Sequence, residues 1–149
     1  MQGFLFAFEI NLILMTCVFL FTQTLKPEFN STYYNAKKWE KKGKIYEYLG
    51  VNIFRKLLVL IGWEKLNKKT NPVTKSLDAL IHLEYGTKQS EFGHLLIFLI
   101  VLIFNIVVAV KFGITESLWL LILNVVLNVY PIILQRYNRP RLKKTINIS

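Results

Sequence analysis

Two long apolar runs separated by four residues set the first limit on what this chain can become. "HLLIFLIVLIFNIVVAVKF" occupies residues 94–112, "SLWLLILNVVLNVYPIILQ" occupies 117–135, and only "GITE" lies between them. A bilayer core needs about 20 helical residues at about 1.5 Å each. Each run is long enough to cross, and so short a connection makes them an antiparallel transmembrane hairpin. A third run of the same kind, "GFLFAFEINLILMTCVFLFT", fills residues 3–22 and is interrupted by Glu9 and Asn11. No basic residue precedes it and "TQTLKPEF" follows it, where a signal peptide would carry a small-residue cleavage site. It therefore reads as an uncleaved first helix.

Charge then orients the spans. Of 19 Lys plus Arg, 13 lie between residues 23 and 93, 5 lie after Gln135, and Lys111 alone sits by the tight turn. The positive-inside rule places the loop 23–93 and the tail 136–149 in the cytoplasm and the N-terminus outside. A soluble nucleic-acid binder would share the net charge of +10 but would not gather its 53% hydrophobic residues into bilayer-length runs, so no nucleic-acid partner is expected. Cys17, the single cysteine, excludes a disulfide framework and a thiolate metal cluster. The fold expected is an all-α single membrane domain, with three spans and interfacial helices in a long cytoplasmic loop.

Within that loop, "KKWEKKGKIYEYLGVNIFRKLLVLIGWEKLNKK" (37–69) mixes lysines with Trp, Tyr and an apolar patch too short and too charged to span. Aromatic bodies beside lysines suit the headgroup layer, so 45–66 is expected to form helices on the inner membrane surface, held by anionic lipid. A small soluble core built from the same residues is the alternative. "TNPVTK" (70–75) reads as a turn, Ser76 with Asp78 as a helix start, and Gly86 as a break. Inside the spans, Glu9 should face a bundle interior or reach the outer interface. Asn105, Asn124 and Asn128 should hydrogen-bond between helices, and Pro131 can kink the third span.

Two groups of residues could carry chemistry. Glu91 and His94 stand three apart and share a helix face, where a carboxylate could orient an imidazole acting as a general base; a polar cap at a helix end is the plainer reading. His82 could join His94 only in a metal site without recognisable ligand spacing, so no metal is expected. Arg136, Arg139 and Arg141 follow the third span, and the chain has only one other arginine, Arg55. Pro140 biases Arg139 away from helix, so a turn is expected there, letting Arg136 and Arg139 converge on one anion through their planar forks. Basic residues at a cytoplasmic helix end also need no ligand at all.

"PIILQRYNRPRL" (131–142) resembles the C-terminal signature of the glycosyl-4,4'-diaponeurosporenoate acyltransferases, small membrane proteins of bacterial carotenoid biosynthesis. "TKQSEFGH" (87–94) is similar to that family's Thr-Lys-x-x-Glu-x-x-His before an apolar span. The resemblance implies a multi-pass protein of the bacterial inner membrane that moves a fatty acyl group to a sugar hydroxyl of a glycosylated carotenoid acid or similar glycolipid. It implies an acyl-CoA or similar thioester as co-substrate, with no bound cofactor, and a lipid-linked acceptor as partner. The matching residues are Thr87, Lys88, Glu91, His94, Gln135, Arg136, Tyr137, Asn138, Arg139, Pro140 and Arg141. On that reading His94, oriented by Glu91, is the base, and Arg136, Arg139 and Asn138, with Arg141, Gln135 and Lys88 beside them, hold the donor's phosphates or the developing oxyanion. The large glycerolipid acyltransferases' His-x4-Asp motif is missing: Leu99 and Thr87 stand where its Asp would be. Two other readings are a non-enzymatic membrane scaffold using its basic loop and a lipid-transport accessory lined by the asparagines.

Overall fold

A computed structural model describes residues 2–70 and 76–147, and among the described residues every regular element is a helix. The chain divides into two compact units, residues 1–28 with 90–132, and residues 29–89 with 133–149.

Three helices are long and apolar enough to cross a membrane: Gly3–Leu25, Leu77–Phe112 and Ile114–Ile146. The first, α1 (Gln2–Leu25), buries a stripe of Ala7, Asn11, Val18 and Thr22. These residues fall on one side of a 3.6-residue helix, and the rest of its surface, including Phe4, Phe8, Leu12 and Phe19, is exposed. Apolar residues all round with a narrow small and polar stripe inward are what a helix packed in lipid requires. The first unit's core joins Ala7 and Val18 to Ile97, Val101 and Leu120. Gly93 permits this closeness, since a Cβ there would sit 3.3 Å from Val18. Glu9 is exposed on α1, so it does not face the interior of the unit.

The second long helix, α5 (Leu77–Phe112), turns back through one residue, Gly113, whose φ of 98° a side chain would rarely tolerate. "ITE" of the expected four-residue link already belongs to α6 (Ile114–Asn124). The returning helix passes through a π-helical segment, Val125–Val129, just before Pro131, and continues as α7 (Tyr130–Ile146). An α-to-π adjustment beside a residue with no N–H is a familiar way to accommodate proline inside a helix.

The second unit carries two 3-10 turns, Thr32–Tyr34 and Lys38–Gly43, and the short helices α2 (Ile45–Tyr48), α3 (Val51–Leu60) and α4 (Trp63–Thr70). Tyr46, Val51 and Tyr137 form its core, against Ile45, Ile133 and Leu134. Gly43, at φ 88°, lies where a Cβ would come within 3.1 Å of the Tyr137 carbonyl oxygen. In α3 only Val51 is buried; Ile53, Leu57 and Leu60, one helical face, stand exposed, followed by Ile61, Trp63 and Leu66. These segments are amphipathic helices as expected; Tyr46 and Val51 enter the core of the unit, while Ile53, Leu57 and Leu60 do not.

Two expected breaks are absent. Gly86 lies inside α5, which starts at Leu77 with the Ser76 hydroxyl accepting from the Ala79 N–H at 3.4 Å. A lone glycine costs a helix about 1 kcal/mol, too little to interrupt 36 residues of otherwise good helix. Pro140 lies inside α7 and makes no turn, so residues 136–146 continue the helix. Tertiary contacts of Tyr137, Arg139 and Arg141 hold the helix on both sides of the proline and outweigh its local preference. The expected turn at 70–75 falls, after Thr70, outside the described residues.

Cys17 is exposed midway along α1, so in membranes it should face lipid. A water-soluble maleimide should label it only after detergent is added; rapid labelling in intact vesicles would mean that this helix does not span.

Candidate functional site

In the first unit the polar residues of three helices meet. Asn11 donates to the Ala7 carbonyl at 2.8 Å, which turns its own oxygen toward the amide of Asn128, 2.8 Å away. Asn124 donates to the Phe98 carbonyl at 3.1 Å and offers its oxygen to the same amide at 2.9 Å. Asn128, fully buried, thereby has both amide hydrogens engaged, and its oxygen faces His94 Nδ1 at 3.2 Å. The Leu127 carbonyl is a second acceptor near the ring. An α-helical ladder would give that carbonyl to residue 131, which as proline has no N–H. Further along, Asn105 donates to the Ser117 carbonyl at 2.7 Å.

His94 is half-buried, and its Nδ1 edge is held by Asn128. Glu91, one turn earlier on α5, is fully buried. The hydrogen bond that orients the ring comes from Asn128, a residue the sequence suggested only for helix–helix bonding. The signal was present: Asn124 and Asn128 are four apart in an apolar span, and Asn11 interrupts another. What the sequence lacked was the register that brings 11, 94 and 128 to one level.

In the second unit Arg136 and Arg139 serve the interior. Arg139 is 3% exposed, and its fork donates to Thr87 Oγ1 at 3.0 Å, the Thr87 carbonyl at 3.2 Å and the Tyr34 carbonyl at 3.1 Å. Its guanidinium also lies over the Tyr34 ring. Arg136 pairs with the buried carboxylate of Glu40, donates to the Tyr33 carbonyl at 3.1 Å and covers the Tyr33 ring. Arg141 lies over the Tyr137 ring and reaches Glu47 at 3.1 Å. The anion on which Arg136 closes is thus one of the chain's own. Arg136, Arg139 and Lys143 border a cleft of about 10 Å³, room for one water. Lys88 pairs with Glu84 at 3.2 Å, while Gln135 and Asn138 are half-buried on α7.

Sequence reasoning missed Glu40, the single acid among the lysines of 37–44, and Tyr46. The Tyr46 hydroxyl is buried without a well-formed hydrogen bond, although the Glu40 carboxylate lies near enough to interact. Burial first, and Glu40 second, hold this phenol well above its ordinary range. His82 is exposed on α5.

Spans of lipid-facing helices closed over asparagine and histidine define an all-helical membrane protein. Its residues 30–148 match the family model described as glycosyl-4,4'-diaponeurosporenoate acyltransferase, and the chain belongs to that family. It is accordingly an acyltransferase of carotenoid biosynthesis by family. No match was found among curated proteins or among solved structures.

Arg139→Lys should lower stability by about 2–4 kcal/mol, because an ammonium cannot reach three acceptors set for a planar fork. Thermal unfolding in detergent checks this, with Lys143→Ala, at a partly exposed position, expected to stay near wild type.

Proposed function

We propose that the chain O-acylates a sugar hydroxyl of a membrane-bound glycosylated carotenoid acid, or a glycolipid like it, with a thioester such as acyl-CoA as donor. The observation that carries this reading is a half-buried histidine, His94, held on its Nδ1 edge by Asn128 inside a protein of the acyltransferase family. His94 takes the hydroxyl proton as the sugar oxygen attacks the thioester carbonyl. The tetrahedral intermediate then breaks its C–S bond, and the departing thiolate receives the proton back from the imidazolium.

For the donor's phosphates, the cations of the second unit differ in availability. Arg139 acts as an anchor of the fold, while Lys88, Arg141 and Lys143 keep side-chain exposures of 22%, 44% and 38%. Those three, with Gln135 and Asn138 on the same helix as the arginines, are the groups that meet an incoming anion. The protein is multi-pass in the bacterial inner membrane, with its basic loop and C-terminal helix cytoplasmic. The apolar face of α3 and α4 rests on the inner surface: Ile53, Leu57, Leu60, Trp63 and Leu66 enter the acyl boundary, and Lys56, Lys65 and Lys69 stay with anionic headgroups.

His94→Ala should reduce acyl transfer in membranes by a factor of about 10² to 10⁴, with insertion and abundance unchanged. Activity near wild type in that variant would remove His94 as the base. The acceptor is tested by comparing lipid extracts of cells with and without the gene for an acylated glycolipid.

A further inference from the structure

A histidine that acts as a base must present a lone pair, and a neutral imidazole has one on only one nitrogen. Which nitrogen is free depends on what the other one meets. Here the answer is set by residues one and two steps removed from the ring.

The chain of polarity starts at backbone carbonyls, which can only accept. Asn11 must turn its NH₂ to the Ala7 carbonyl, and Asn124 must turn its NH₂ to the Phe98 carbonyl. Both side-chain oxygens are then the groups left for Asn128, at 2.8 Å and 2.9 Å, and an oxygen pair can be satisfied only by the two hydrogens of its NH₂. Flipping the Asn128 amide would set its oxygen against two other oxygens inside an apolar span, leaving three buried acceptors without donors. The flipped state is therefore suppressed. With the NH₂ engaged, Asn128 Oδ1 is what faces His94 Nδ1 at 3.2 Å. A lone pair on Nδ1 would meet a lone pair on Oδ1, so Nδ1 must carry the hydrogen.

We propose that Asn128 is the positioning residue that fixes the His94 imidazole as its Nδ1–H tautomer and puts the lone pair on Nε2, the Leu127 carbonyl being the other acceptor near the ring, with Asn11 and Asn124 locking the Asn128 amide in the orientation this requires. As applied to acyl transfer, the inference rests on the reading of His94 as the base; the tautomer itself does not depend on it. The same bond holds the ring in place when Nε2 gains a proton, because Nδ1–H donates to Asn128 in both charge states.

The test reads the tautomer directly. The chain has two histidines, so in His82→Gln protein reconstituted into vesicles, ¹⁵N-histidine gives solid-state NMR signals from His94 alone. With the ring neutral, a protonated Nδ1 and an unprotonated Nε2 are expected. An Nε2–H ring, or an even mixture, would overturn the proposal without any mutation. Asn128→Ala should then move the ring toward Nε2–H, the form that imidazole side chains favour in water, and should lower kcat by about 10- to 100-fold with little change in KM. Asn11→Leu combined with Asn124→Leu keeps Asn128 but unlocks its amide, and should give a mixture of tautomers. A role in helix packing alone would change stability in these variants and leave the ring as Nδ1–H, which would also defeat the proposal. Should the tautomer be found as stated while His94→Ala stays active, the base reading fails and the positioning of the ring stands.

Discussion

A polar group buried in an apolar span has no water to turn to, and the first unit is organised around that constraint. Asn128 is fully buried and bonded to Asn11, Asn124 and His94, so one amide fixes the level at which three helices meet. Bonds of this kind contribute about 0.6 kcal/mol each on average and up to about 2. That is modest, but a mismatched register would strand several donors and acceptors at once. The Phe98–Asn124 and Asn105–Ser117 bonds repeat the constraint along the hairpin, pairing rising numbers on α5 with falling numbers on the returning helix. Apolar packing of Ala7, Val18, Ile97, Val101 and Leu120 could slide by a turn at little loss; these bonds could not.

The second unit solves a different problem, that of keeping cations inside. Arg139 is surrounded by a hydroxyl, two backbone carbonyls and an aromatic face, and Arg136 by a carboxylate, a carbonyl and an aromatic face. Removing one partner from a buried ion pair costs about 3–5 kcal/mol, while an apolar replacement of both can be neutral. Such a cluster therefore specifies one arrangement of the chain more than it adds stability. It also accounts for arginine where the rest of the chain uses lysine: three acceptors arranged around a plane need a fork.

That geometry alters the weight of the two groups of residues that the sequence singled out. Clustered arginines after a span invited a reading as a ligand site, yet the two most buried of them, Arg136 and Arg139, hold the fold. The more accessible polar groups are the half-buried His94 and the partly exposed Lys88, Arg141 and Lys143. Glu40 shows why the arginine reading was incomplete. A single acid in a run of lysines has no periodicity to mark it, and only the folded chain carries it to Arg136, 96 residues away.

Much of the architecture was legible because it follows from local quantities. Runs 3–22, 94–112 and 117–135 contain enough apolar helix to cross a bilayer whatever else the chain does, and the large apolar residues broken by Arg55, Lys56 and Lys65 at 45–66 make amphipathic helix. "PIILQRYNRPRL" and "TKQSEFGH" pointed to the family that the match over residues 30–148 shows. The expected breaks at Gly86 and Pro140 failed because backbone preferences of about 1–3 kcal/mol yield to a long run of helix around Gly86 and to neighbours from distant sequence around Pro140. Which asparagine faces His94, which carbonyl faces Arg139, and that Glu40 closes on Arg136 depend on pairs separated by 34 to 117 residues. The sequence by itself determined that this chain enters a membrane as helices and to which family it belongs. Only the tertiary structure decided how its buried polar groups are matched, because each donor's partner is set by the register of helices that no local pattern encodes.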